Sequence, residues 1–401
     1  MTERLYYTDA GVLEFSARVV DVRDLDGKTA IVLDRSAFYP TSGGQPFDTG
    51  TLDEARVVDV VDQDDEILHV VDRPIATGTE VRGSIDAARR LDHMQQHTGQ
   101  HVLSAAFDRL FQNRTLSFHM GGDVSTIDLA KVQAPEDVER AVDDANRIVW
   151  ENRPVTVRFA SADEARTMGL RKESVREGEL RLVDVAEFDL SACGGTHVAR
   201  TGTIGVVAVT GVEKFKGGLR VSFVCGGRAL RSFRGLRDSV AGSVRALSVL
   251  PAELPIAIQK LQAESKALRK RVTDLQGSLA FHEAARLLAE ARQTAGVSIV
   301  AAVIDGWDAA GLKAIASAII ASNPAALALA GSDTPTLVVT GRSASVNPAL
   351  GIPAAGDLVR ALTARFGGKG GGTPELAQAG GLAAEPRDVI AAAQELLTPT
   401  I

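Results

Sequence analysis

The feature that most constrains the fold is a change of hydrophobic period near Asp86. From Thr8 to Arg82, short β-rich pieces (FSARVVDVRD, KTAIVLDRS, TLDEARVVDVVDQDDEILHVVD) alternate with Gly, Pro and Asp turns. Strand side chains point alternately to opposite faces, so such text builds a small antiparallel β domain, read here as a barrel. Between Asp86 and Phe111 the apolar spacing becomes helical, and APEDVERAVDDANRIVWEN adds a second amphipathic helix opened by a proline. Strand-like pieces return at RPVTVRFAS, RLVDVAEF, IGVVAVTGVEKF and LRVSFVCG. Long helices mixed with such strands predict an α+β domain over 86–246.

Beyond it, Pro255 to Gln293 holds no further proline and one glycine. Ile258, Leu261, Leu268, Val272, Leu275 and Leu279 follow three-four spacing, with Ser265 and His282 in the remaining slots. That predicts one long helix with a coiled-coil-like seam. The last hundred residues alternate strands with Ala-rich helices and predict a small α/β domain containing the glycine run FGGKGGGTPELAQAGG. Backbone N–H groups of such a run can cradle phosphate, although the run matches neither the P-loop nor the dinucleotide fingerprint. The fold class is therefore α+β: a β-barrel over 1–85, an α+β domain over 86–246, a helical linker over 247–293 and a Gly-rich α/β domain over 294–401.

A chain of 401 residues exceeds one ordinary core. No apolar run is long enough to span a bilayer, and MTERLYYTDAG lacks the order of a secretory signal, so the expectation is a cytoplasmic protein without membrane partners. Two cysteines, Cys193 and Cys225, are too few for a disulfide framework and suit a compartment where thiols stay free for metal. The net charge of −7 argues against sequence-blind attraction to nucleic acid or anionic membranes. A local basic run from Lys214 through Lys216, Arg220, Arg228, Arg231, Arg234 and Arg237 to Arg245 remains as a candidate patch.

Of seven histidines, His93, His97 and His101 fall at four-residue intervals on one predicted helix. Such positions lie one above the other and aim imidazoles at a common point. Zinc sites take nitrogen and sulfur ligands, usually in two short-spaced pairs from different parts of the chain. SACGGTHVARTG supplies a second pair, Cys193 and His197, separated by two glycines that permit a tight turn. Which two of the three stacked histidines join them is left open by spacing alone.

RRLDHMQQHTGQHVLSAAF and SACGGTHVARTGTIGVVAV resemble the HxxxH helix and CGGTH element of the alanyl-tRNA editing proteins, the AlaX family in its long form. FYPTSGGQPFDTG resembles that family's glycine-rich barrel loop, and FGGKGGGTPELAQAGG the C-terminal domain it shares with alanyl-tRNA synthetase and DHH-type phosphoesterases. The resemblance selects His97 and His101, with Cys193 and His197, as ligands of Zn2+, and leaves His93 as a neighbour. It implies a trans-editing hydrolase that deacylates mischarged tRNA(Ala), carrying serine or glycine.

Within that frame Thr98 is a candidate to hydrogen-bond a serine hydroxyl. Gln100 is also among the candidate catalytic residues; Gly99-Gln100 replaces the Ala-Thr of the synthetase element, a change that bears on substrate preference. Ser117 and His119 are candidates to return toward the metal helix, His119 as a base. Gly43, Gly44 and Gln45 are expected to close over the terminal adenosine. A homodimer through the helical linker or the C-terminal domain is the partner expectation. The competing class is a zinc-stabilised tRNA-binding or protein-binding module without turnover. A phosphoesterase role for the C-terminal domain is opposed by the absence of an Asp-His-His triplet.

Overall fold

Strands Glu14–Leu25, Lys28–Leu33, Glu66–Val71, Ala55–Gln63, Gly50–Leu52 and Glu80–Ile85 pair antiparallel in that spatial order, and the last returns to the first, closing a six-stranded barrel. Period-two patterning drives it: Phe15, Ala17 and Val19 point inward while their neighbours face out. They meet Ile31, Leu33, Phe38, Leu52, Ile67 and Val81 in the interior. These strands belong to a computed structural model that describes residues 1–63, 65–171 and 178–398; residues 399–401 of the expected C-terminal segment lie outside them. The described chain divides into two compact units, Met1–Gly242 and Ser243–Ile401.

In the first unit the barrel adjoins the helix Ala87–Phe111, whose N-terminus is capped by Asp86 accepting from the Ala88 and Arg89 N–H groups. Helix and barrel are tied by Arg90, which is fully buried. Its guanidinium donates to Asp48 Oδ2 at 2.5 Å and to the Ala10 and Ala37 carbonyls at 2.7 and 2.5 Å. Further along, the helix is enclosed by an antiparallel sheet ordered Val207–Phe215, Gly218–Cys225, Ser125–Leu129, Thr115–Met120. A three-stranded sheet of Val155–Ser161, Glu179–Val185 and Asp189–Ala192 and the helix Pro135–Trp150 complete the layer. Val102, Leu103, Phe107, Ile148, Val183, Val221 and Phe223 form its core.

The second unit holds the helix Leu254–Ala289 and a six-stranded mixed sheet ordered Arg292–Thr294, Val297–Ile304, Ala325–Gly331, Thr336–Arg342, Leu376–Leu382, Lys369–Gly372. Only Val297–Ile304 and Ala325–Gly331 run parallel, joined through the helix Ala309–Ser322. Two expectations change here. The long helix stops at Ala289, because Ala295 and Gly296 adopt positive φ and turn Arg292–Thr294 into a hairpin with the next strand. The glycine run is an extended edge strand, Lys369–Gly372, not a phosphate-cradling turn. A Cβ on Gly370 or Gly372 would come within 2.4 Å of the neighbouring strand, so the glycines serve close strand packing.

Candidate metal centre

One helical step of four residues sets the His97 and His101 ring centroids 5.5 Å apart. The turn after Asp189–Ala192 brings His197 against both, at 4.5 Å from His97 and 4.7 Å from His101. Cys193 Sγ lies 3.3 Å from His97 Nε2 and 3.4 Å from His197 Nε2. One donor atom from each of the four residues lies within 4.8 Å of all the others, so the cluster can hold a metal ion. The three histidines are buried and Cys193 is half-buried.

Each imidazole is oriented through its other nitrogen. His97 Nδ1–H donates to Gln45 Oε1 at 2.8 Å, and that oxygen also accepts from the Thr196 N–H. His101 Nδ1–H donates to Asp189 Oδ2 at 3.0 Å, with Arg171 paired to the same carboxylate. His197 Nδ1–H donates to Thr98 Oγ1 at 3.2 Å. Three different acceptors thereby select the same tautomer and turn three Nε2 atoms inward, the arrangement that raises ligand basicity in metal sites. Arg181 holds the turn itself, donating to the Cys193 and Gly195 carbonyls at 2.6 and 3.0 Å.

Burial pushes the Cys193 thiol up, yet His97 and His197 beside it, with bonds from His101 and His197, hold it well below the ordinary thiol range. Burial likewise works against charge on His101, but the Asp189 carboxylate and Cys193 raise it to about 9. His197 is lowered to about 3, chiefly by burial. Without a metal the site therefore pairs a thiolate with a charged His101 beside a neutral His197, and a bound cation would displace the His101 proton.

The structure relocates several expected site residues. Thr98 is fully buried, and its oxygen accepts from His197 and from the Val198 N–H, so it orients that ring. Gln45 is fully buried, bonded to His97 and Thr196; Gly43 and Gly44 form the two-residue turn that delivers it, with φ of +57° and +86°. Gln100 turns its amide to Ser104 Oγ at 2.8 Å. Ser117 and His119 fall on the outer face of their strand, Ser117 donating to Asp128, whereas the alternate residue Phe118 faces inward onto His97. His93 stays outside the cluster, buried, with Nδ1 4.0 Å from Asp48 Oδ1. Within the basic run, Arg220 pairs with Asp128, Arg228 with Asp92 and Arg237 with Asp238.

Asp189, Arg171 and Arg181 escaped the sequence reading. No spacing rule marks them, since Asp189 is 88 residues from the ring it holds.

Residues 3–89 match the family model of class II (A) tRNA synthetases, 180–221 that of the threonyl and alanyl tRNA synthetase second additional domain, and 296–398 the DHHA1 domain. Alanine-tRNA ligases of Methanosarcina mazei and Natronomonas pharaonis are 32% and 34% identical over 95% and 99% of this chain. That of Halobacterium salinarum is 36% identical over 96%. The chain spans about two fifths of the length of these curated relatives, 42% to 44%. The C-Ala domain of Aquifex aeolicus alanyl-tRNA synthetase aligns with 27% of this chain, and 97% of that domain, at 19% identity and a TM-score of 0.24. Taken with the ordered family matches, the near full-length identity makes the chain an alanyl-tRNA synthetase-related protein that carries the second additional domain and the DHHA1 domain.

Proposed function

We propose that the chain is an aminoacyl-tRNA deacylase that removes serine, and also glycine, from mischarged tRNA(Ala), with zinc held by His97, His101, Cys193 and His197. The observation that carries this reading is the buried cluster of three Nε2 atoms and one thiolate sulfur facing a common point. Corners of a tetrahedron with zinc bond lengths are about 3.5 Å apart. The Cys193 to His97 and Cys193 to His197 separations of 3.3 and 3.4 Å suit that ion.

Zinc, when bound, supplies Lewis acidity toward an ester carbonyl or lowers the pKa of a water. The chain's own residues do the positioning. Gln45, Asp189 and Thr98 bond each Nδ1, which leaves each Nε2 to the metal. Phe118, its ring centroid 5.3 Å from that of His97, covers that ring on one side. Four protein donors also suit a closed structural site, which favours the second reading of a tRNA-binding module without turnover.

Hydrolysis of labelled seryl-tRNA(Ala), with alanyl-tRNA(Ala) as control, separates the two. Selective deacylation by wild type, reduced at least a hundredfold in Cys193→Ala, is the expected result. A folded, zinc-loaded protein that cleaves neither tRNA leaves the binding module as the function.

A further inference from the structure

One turn before His97, on the same helix, a cavity of about 290 Å³ opens between the barrel loop, the helix and the turn after Thr115–Met120. Its charge is unbalanced. Arg228 is buried and committed, through Nε and Nη2 to both Asp92 oxygens and through Nη1 to the Gly121 carbonyl. Arg89 donates only its Nε, to the Phe47 carbonyl, and lies over the Phe47 ring at 5.3 Å. That contact fixes the guanidinium plane and leaves its two terminal nitrogens without a bond among the described residues. Arg231 is exposed, its Nη2 3.5 Å from Asp92 Oδ1. Three guanidiniums and one carboxylate thus line the cavity.

Planar guanidinium donors suit phosphate oxygens, two at a time. Gly122 also lines the cavity, and a Cβ there would meet nothing within 4 Å, so the wall at this point is open space and not packing. A helical turn between His93 and His97 rises about 6 Å, the scale of one nucleotide of backbone.

Building on the deacylase reading above, we propose that this cavity receives a phosphodiester of a single-stranded RNA 3′ end, on the 5′ side of the ribose whose ester faces the metal cluster. Arg89 and Arg231 hold the phosphate, Phe47 holds Arg89, and Asp92 keeps Arg228 in place as part of the wall.

The test uses the zinc-loaded full chain and a fluorescent RNA hairpin with an unpaired 3′ tail, read by anisotropy across a salt series, alongside seryl-tRNA(Ala) hydrolysis. Arg231→Ala removes a donor, and Gly122→Leu places an apolar side chain on the cavity lining at a position where a Cβ meets nothing within 4 Å. Each is expected to raise Kd about tenfold. Arg231→Ala also lowers the slope of log affinity against log salt by about one, while Gly122→Leu leaves it near wild type. In hydrolysis the loss falls more on KM than on kcat. Unchanged Kd in both variants, while wild type hydrolyses normally, overturns the subsite and spares the deacylase. Loss of RNA binding in the variants with no hydrolysis by wild type keeps the subsite and overturns the deacylase. Inorganic phosphate binding that the variants abolish while RNA binding persists reassigns the cavity to a free anion and overturns the RNA assignment. A wild-type protein that binds no RNA overturns it as well.

Discussion

A Cβ built on Gly195 would lie 2.1 Å from His97 Cε1 and 3.0 Å from Gln45 Oε1. Neither neighbour can retreat, because each is bonded to the other in a fully packed setting. Gly195→Ala is therefore expected to displace the ring from the cluster and reduce zinc affinity at least tenfold, read by chelator competition, while circular dichroism keeps its wild-type form. Wild-type affinity in that variant would show that His97 is not held by this contact. Gly99 is a second close approach, its missing Cβ leaving room for Cys225 Sγ 2.3 Å away. That explains why glycine stands between the two helix histidines. At this scale the spacing marked a stack of three helix histidines and a Cys-Gly-Gly-Thr-His turn, while the choice of His97 and His101 over His93 came from the family resemblance and not from spacing. The acceptors behind them carry no such mark: Gln45, Asp189 and Thr98 reach their rings from 52, 88 and 99 residues away.

Elements with strong periodicity were read correctly in kind. The barrel strands alternate as their residues dictate, and the same alternation sends Ser117 and His119 to the side of the sheet opposite Phe118. The helix Leu254–Ala289 is more instructive. Its buried stripe is Gln276, Ala280, Ala284 and Leu287, with Ala280, Ala284 and Leu287 in one apolar cluster with Leu312 and Ile315 of the helix Ala309–Ser322. The heptad seam falls elsewhere: Leu261, Leu268, Leu275 and Leu279 are all more than half exposed. An exposed three-four seam of this length is expected to pair two chains as a coiled coil. Light scattering on the full chain should give a dimer, and Leu268→Asp with Leu275→Asp should give a monomer with the same helix content. A monomeric wild type at tens of micromolar would refute the pairing.

For the molecule as a whole, the two units carry their titratable burial unequally. His69 is fully buried in the barrel, bonded to Ser36 Oγ and the Ile31 carbonyl, and burial lowers its pKa to about 4. The unfolded chain binds a proton near pH 6.5 that the folded barrel refuses, so this contribution is present above pH 6.5 and is lost as pH falls toward 4. His69 alone should cost the first unit about 2 kcal/mol between pH 7 and pH 5. The only histidine in the second unit, His282, is exposed. Denaturant unfolding should therefore show the first unit weakening on acidification, with a smaller loss in His69→Gln; equal losses in both proteins would exclude His69 as the source.

By itself the sequence determined the kinds of element, their order and the two short-spaced groups that offer metal ligands, because hydrophobic period and short spacings are local properties of a chain. Tertiary structure alone decided which oxygen sits behind each imidazole, which face of the long helix is covered and where an anion-sized cavity opens. Those depend on contacts between segments dozens of residues apart, whose meeting is set by how whole layers pack and not by any spacing within them.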